Sequence, residues 1–332
     1  MAAGTVSNFT IYDAEYQTAQ LEVLAKNLNV FNAASNGAII LRDRAVLGDY
    51  ERNTIFDLPS TVAWRDNTST SSVADSSVTD SEQVGVKVNL KYSPFAMTDD
   101  AWRKKGQTPE TFSAMLGASN AVRKMEYLIG AATGILGNKL TSVAAVTNDI
   151  TSASTNTLNH TALAGALAKF GDQSAQIACW VMHSKAYWDL ISNGLAGATL
   201  APIIYEQAGA IVYGGQPATY GKPVVVTDAA SYNEADSSGD YDRYWTLGLT
   251  KGAITLDQSE PDVVVSDLVT GYQNITHRIQ GEFAINFSMR NCTWDVTHGG
   301  ANPPLATLFT ASNWDSVFAD AKLLPGVVVI SR

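Results

Sequence analysis

Residues 275–290 alternate along their whole length: Ile275, His277, Ile279, Phe283, Ile285, Phe287 and Met289 fall on one side, and Thr276, Arg278, Gln280, Glu282, Asn286, Ser288 and Arg290 on the other. Successive side chains of an extended chain point to opposite faces, so a period of two predicts one strand with one apolar face. Gly281 and Ala284 are neutral to the pattern. At ~3.3 Å per residue the ladder would run about 50 Å, against about 17–20 Å for an ordinary strand, which suits an elongated subunit. On this facing Phe283→Asp would bury a carboxylate without a partner, whereas Asn286→Asp on the polar face is expected to be tolerated. A second ladder, Val84, Val86, Val88, Leu90 and Tyr92 against Gly85, Lys87, Asn89 and Lys91, lies far upstream. It follows residues 65–82, almost wholly Asp, Asn, Ser and Thr with two isolated valines. Such a stretch cannot bury enough apolar surface to order itself. It predicts an exposed tip between an outgoing strand in residues 49–64 and the returning strand 84–92, together a long two-stranded flap. A lone ribbon is marginal in water, so the flap is expected to gain stability by lying on another copy.

The period then changes. Phe112, Met115, Leu116, Val122, Met125, Leu128, Ile129, Ala132, Ile135 and Leu136 recur mostly at intervals of three and four, which predicts a helix. Thr98 or Thr108 is the candidate cap, Pro109 and Glu110 fit the first turn, and Gly137 and Asn138 are expected to end it. A helix over 108–137 would be about 45 Å long, a spine comparable to the long strand. Ala19, Leu21, Val23, Leu24, Leu28 and Val30 come close to helical spacing and read as a tethered N-terminal arm. Between spine and long strand the pattern breaks into short elements: helices in 161–170 and 186–191, and strands at 177–182, 224–227, 244–249 and 253–256. They predict a compact α/β region.

Composition narrows the function classes. A chain of 332 residues with 45% hydrophobic content can build a substantial core. A net charge of −10 argues against a protein whose main work is gripping nucleic acid, since neutralising phosphates needs clustered Lys and Arg. The two cysteines, Cys179 and Cys292, lie far apart and outside any CxxC spacing, so neither a zinc site nor a disulfide framework is indicated. The Met-Ala-Ala-Gly start lacks a basic and apolar leader, and no segment approaches the roughly 20 apolar residues of a membrane span. Production in a cytoplasm, with no membrane partner, is the expectation.

Catalytic and metal patterns are weak. His183 beside Ser184 is the best nucleophile-and-base lookalike, but no third partner or Gly-x-Ser-x-Gly elbow accompanies it, and a strand-to-helix turn is the plainer reading. His277 falls among apolar strand positions, and His160 and His298 in loop-like sequence. No metal-binding His spacing occurs. Residues 214–223 imitate a phosphate loop, yet Pro223 stands where Ser or Thr is required. Asp257, Glu260 and Asp262 lack calcium-loop spacing and read as a solvated loop. No catalytic, cofactor or metal residue is therefore assigned. Arg103, Lys104 and Lys105, with Asp99 and Asp100 nearby, form the compact basic run and suit a charged contact surface.

The order of these elements resembles the major capsid proteins of tailed bacteriophages, of the Hong Kong 97 type. Val84-Gly-Val-Lys-Val-Asn-Leu-Lys-Tyr followed by Ser-Pro-Phe and the spine is similar to that family's extended loop running into its long helix. Trp180-Val-Met-His-Ser-Lys-Ala-Tyr-Trp188 resembles the strand and helix that open its axial domain. Gly221-Lys-Pro-Val-Val-Val and Leu247-Gly-Leu-Thr-Lys-Gly-Ala-Ile254 resemble later strands, and Ala301-Asn-Pro-Pro-Leu-Ala-Thr with Asn313-Trp314 the C-terminal segment of one subfamily.

The resemblance implies an α+β capsid fold with an N-terminal arm (1–47), an extended β-hairpin flap (48–93), a spine helix with the first part of a peripheral β-sheet (94–150), a compact α/β axial domain (151–258), and a peripheral return with the long strand and C-terminal tail (259–332). It implies a non-enzymatic subunit that assembles with itself into hexamers and pentamers of an icosahedral shell around double-stranded DNA. Assembly would take place in a host cytoplasm and place the chain in the virion. The implied partners are a portal, a decoration protein and, because the arm starts at once, a separate scaffolding protein unless the chain is processed. Inter-subunit contacts are expected at Arg52, Trp64, Arg65, Lys87 and Lys91 of the flap and at Arg103, Lys104 and Lys105 near the spine. An encapsulin-like compartment is the nearer alternative, and a cytoplasmic hydrolase using His183 and Ser184 the more distant one.

Overall fold

Three β-sheets and a 33-residue helix organise the chain in a computed structural model that describes residues 18–20, 32, 35–57, 64–72, 79–98, 104, 109–153, 155–195, 204–207, 210–213, 219–228, 233–235, 242–271 and 273–332. The first elements are β1 (Ile39–Asp43), β2 (Tyr50–Asp57), β3 (Thr79–Thr98), α1 (Pro109–Thr141), β4 (Thr147–Asp149), α2 (His160–Phe170), β5 (Ile177–Met182) and α3 (Ser184–Leu195). There follow β6 (Ile204–Gln207), β7 (Ala210–Tyr213), β8 (Val224–Val226), β9 (Asn233–Ala235) and β10 (Asp242–Thr250). The chain closes with β11 (Ile254–Val269), β12 (Thr276–Met289), β13 (Cys292–Trp294), β14 (Trp314–Ser316) and β15 (Gly326–Ser331). Most of the expected N-terminal helical segment lies outside the described residues.

The first sheet has the order β1-β11-β12-β3-β2. Its central strand, β12, is the predicted long strand, and its apolar residues Phe283, Ile285, Phe287 and Met289 are buried. Val86 and Val88 of β3 and Leu256 of β11 stand on the same face, which packs beneath α1 through Met125 and Leu128. At this face the expectation holds. The polar face does not behave as solvent-facing throughout, because Asn286 is fully buried. Asn286→Asp is therefore no longer a tolerated change.

Several strands are longer than predicted. β3 continues through Ser93-Pro94 to end at Thr98, ahead of the spine helix, which opens at Pro109. The register against β12 shifts between Ile279 and Gly281, opposite Pro94; a bulge there lets the strand accommodate a residue with no N–H to give. The polar stretch also contributes more than a tip, since Thr79–Glu82 pairs with β2. β11 runs on through residues 257–262, which were expected to be a solvated loop. It shares no sheet with β10, so the turn at 251–253 passes the chain from one sheet to the other.

The second sheet has the order β4-β15-β10-β5-β8-β7-β6, with β9 on β10. The C-terminal residues, expected with the long strand, instead supply β15, which is buried along its whole length between β4 and β10. Likewise, β1 turns the end of the expected arm into an edge strand parallel to β11. One contiguous core joins both sheets through α1. Residues 131–137 of that helix are buried all round, as a helix between two layers must be. By contrast Met115, in its first turns, is exposed.

Gly137 does not end α1, which continues to Thr141. Its missing side chain instead admits Trp245 of β10: a Cβ on Gly137 would come within 2.5 Å of the indole. Gly137→Ala is expected to force that buried ring aside at a cost of about 1–3 kcal/mol, read as a lowered urea midpoint with unchanged m-value. An unaltered midpoint would disprove the close approach.

Candidate assembly interface

The flap is a ribbon rooted in the first sheet. β2 pairs with β3 over residues 50–57 against 79–86, whereas β12 accompanies β3 only from Val86 to Thr98. Two bonds pin the root: Gln83 Nε2 donates to the Met289 carbonyl, and the Val84 N–H donates to Thr293 Oγ1 at 3.0 Å. Beyond them the ribbon has two strands. Arg52 and Glu82 pair across it at 2.9 Å, both exposed, a contact worth no more than about 1 kcal/mol. Phe56 is 66% exposed and Trp64, in the tip, 97% exposed. A ribbon that shows two aromatic rings to solvent and lacks a core of its own is shaped to be covered by something else.

The foot of the flap rests on a polar cluster that the sequence pattern does not reveal. β1 and β2 lie at opposite edges of the sheet, so residues 44–49 cross its outer face as a strap. The Arg44 N–H donates to the Gln258 carbonyl at 3.2 Å, Val46 exchanges two bonds with Ser259 Oγ, and the Lys87 N–H donates to the Asp49 carbonyl at 2.9 Å. Beneath the strap, Asp257 and Asn286 are both 0% exposed and directly opposite each other on β11 and β12. Asn286 Nδ2 donates to Glu51 Oε2 at 2.6 Å, and Arg44 Nη1 donates to Glu51 Oε1 at 2.5 Å. Arg42 grips Asp257 through Nε and Nη2, and that carboxylate raises the guanidinium's already high pKa, chiefly through the hydrogen bond. Asp257, expected on a solvated loop, is in fact structural: a buried charge is retained only when paired and hydrogen-bonded.

On the opposite face Lys124 of α1 donates to Asp262 Oδ1 at 2.6 Å and to Gln258 Oε1 at 3.1 Å, with Tyr92 and Gln20 also bound to Asp262. The Lys124 ammonium also lies 4.4 Å from the Phe283 ring centre. Burial lowers its pKa and Asp262 only partly opposes this. Spine, flap and residue 20 of the N-terminal region are thereby tied at one carboxylate.

The proposed contact residues divide. Trp64, Arg65 and Lys91 are exposed, as is Lys104; Arg103 and Lys105 lie outside the described residues. Arg52 is exposed but paired within the ribbon. Lys87 is mostly covered and forms an ion pair with Glu260, so its charge is already met inside the chain. Sequence reasoning missed Arg42, Arg44, Glu51, Lys124 and Asn286. The one signal was Arg42 and Arg44 flanking Asp43 amid apolar residues.

His183 does have an acidic neighbour, contrary to expectation: its Nε2 lies 3.5 Å from Asp228 Oδ1. The arrangement is nonetheless that of a helix start. The Lys185 N–H donates to His183 Nδ1 at 3.1 Å, and the Ser184 N–H donates to Asp228 Oδ1 at 3.1 Å. Although burial raises the Asp228 pKa, the Ser184 hydroxyl and amide and His183 bring it below the usual carboxylate value. Both ring nitrogens therefore face partners other than the Ser184 hydroxyl. His160 opens α2, capped by Asn159, rather than lying in a loop; the His277 side chain is outside the described residues. Cys179 and Cys292 are free and buried, and burial pushes both thiols up to about 12.

The fold is shared with solved phage structures. Microbacterium phage Oxtober96 aligns with a TM-score of 0.55 at 12% identity, covering 90% of each chain. The capsid of Ralstonia phage GP4 gives 0.51 at 10% identity, covering 90% of this chain and 87% of that one. The acidic stable capsid structure of Helicobacter pylori bacteriophage KHP30 gives 0.51 at 9%, covering 90% and 88%. At such identities the likeness is one of fold. No curated protein matches the chain. Over residues 8–328 the sequence matches the Gp13-like family, described as major capsid protein 13-like, and the chain belongs to that family.

Proposed function

We propose that this chain is the repeating subunit of an icosahedral tailed-phage capsid, assembled as hexamers and pentamers around packaged double-stranded DNA. The observation that carries the proposal is the family match over nearly the whole chain, set on a body whose flap projects exposed Phe56 and Trp64 beyond its own sheet. Membership makes the role structural and the location the virion. Assembly in a host cytoplasm, a separate scaffolding protein, a portal and a decoration protein complete the reading. Flap residues Arg52, Trp64, Arg65 and Lys91, with Arg103, Lys104 and Lys105 before the spine, would meet neighbouring copies; Lys87 contributes by holding β3 to β11 through Glu260. Closing a shell links many modest contacts, so effective concentration multiplies them.

Electron microscopy of the purified protein, alone and with a candidate scaffold, tests the proposal. Closed particles are expected, and failure to assemble under every such condition would count against it. The match to major capsid proteins favours a genome container over an encapsulin-like compartment; particles whose contents are enzyme and not DNA would reverse that preference. His183→Ala is expected to leave assembly intact and to abolish no hydrolytic activity. A hydrolase activity present in the parent and lost in the variant would restore the catalytic reading.

A further inference from the structure

We infer that the cleft at the foot of the flap is an oxyanion site, built to take a phosphate group. The cleft has a volume of about 260 Å³, and its lining includes Arg42, Arg44, Arg290, Thr255 and Ser288. Three guanidiniums converge there from β1, the strap and the end of β12. Glu51 also lines it, and Asp257 lies beneath, but both carboxylates are turned inward and consumed. Asp257 is fully buried against Arg42, and Glu51 accepts from Arg44 and Asn286. Three positive groups against two negative ones leave one positive charge at the mouth, in a chain whose net charge is −10.

Arg290 is the group that no carboxylate answers among the described residues; its Nη1 donates to the Lys251 carbonyl at 3.1 Å. Arg44 spends Nη1 on Glu51 and Asp257, which leaves its other edge for a ligand. Planar guanidiniums offering paired N–H groups, together with hydroxyls, match the geometry of a tetrahedral oxyanion. The one carboxylate that lines the cleft, Glu51, already accepts from Arg44 and Asn286 through its two oxygens.

Phosphate here could be inorganic or the backbone of a nucleic acid, and titration calorimetry separates the two. The whole chain would be titrated with inorganic phosphate and with a short DNA duplex, each against chloride of equal ionic strength. Saturable binding of one phosphate per chain is expected. Arg290→Gln should weaken it about tenfold, Arg290→Lys should retain part of the affinity through its charge, and Arg278→Gln, exposed on the same sheet beyond the cleft, should change nothing. A duplex that displaces phosphate identifies nucleic-acid backbone as a ligand of the site; phosphate binding that the duplex does not disturb identifies a small-anion site. The inference is overturned if neither ligand binds beyond the chloride control, or if Arg290→Gln and Arg290→Lys both bind as the parent does.

Discussion

Asn286→Asp is expected to destabilise the protein by roughly 3 kcal/mol at neutral pH, a loss of the same order as Phe283→Asp three residues away. The two changes fail for different reasons. Phe283 lies on the apolar face beneath Lys124, and a carboxylate there would lose the packing of the ring against Tyr92, 5.0 Å away between ring centres. Asn286 is fully buried beside Glu51 and directly opposite Asp257. A third carboxylate would lose the amide donor to Glu51 and face two like charges whose arginines are already engaged. The introduced carboxyl would titrate above its unfolded value. A raised folded pKa means the penalty is present at neutral pH and disappears as pH falls below the unfolded carboxylate value of about 4. Thermal melts of parent and variant should therefore converge on acidification. Glu282→Gln, exposed on the same face, should stay within about 0.5 kcal/mol of the parent. An Asn286→Asp protein as stable as the Glu282→Gln control would refute the buried cluster.

Deleting residues 65–78 is expected to abolish shells while leaving the subunit's melting midpoint within about 1 °C of the parent, a shift well under 1 kcal/mol. The residues described there, 65–72, are exposed, and the pinning bonds at Gln83 and Val84 lie on the near side of the deletion. Light scattering and electron microscopy read the first effect and calorimetry the second. Normal particles from the deleted chain would show that the flap tip is not an assembly contact; a large drop in melting midpoint would show that it belongs to the subunit's own core.

Local pattern was a good guide wherever burial follows the chain's own period. The ladder at 275–290 became β12 to within one residue at each end, and 177–182 became β5. The helix expected from 108 to 137 appeared as Pro109–Thr141. It outran its predicted stop because Gly137 answers to Trp245, over a hundred residues away. The strand expected at 253–256 runs on to Val269, and that continuation escaped notice for a related reason. Asp257 and Asp262 look like solvent-facing positions until Arg42 and Lys124 are brought against them.

The contact residues show the same division. Trp64 and Arg65 are exposed in a polar tip, as the composition there demands. Lys87 reads in sequence as the free polar face of a ladder, yet it is held by a partner from a distant strand. The sequence by itself determined the long strand, the spine helix and the polar tip, because alternation and helical spacing record one-sided burial within a few residues. Tertiary structure alone decided that β1 and β2 take opposite edges, so that residues 44–49 cross the sheet and seal Glu51, Asp257 and Asn286 beneath them. Burial of a polar group is affordable only with partners, and those partners are chosen by strand order and register, which no local period encodes.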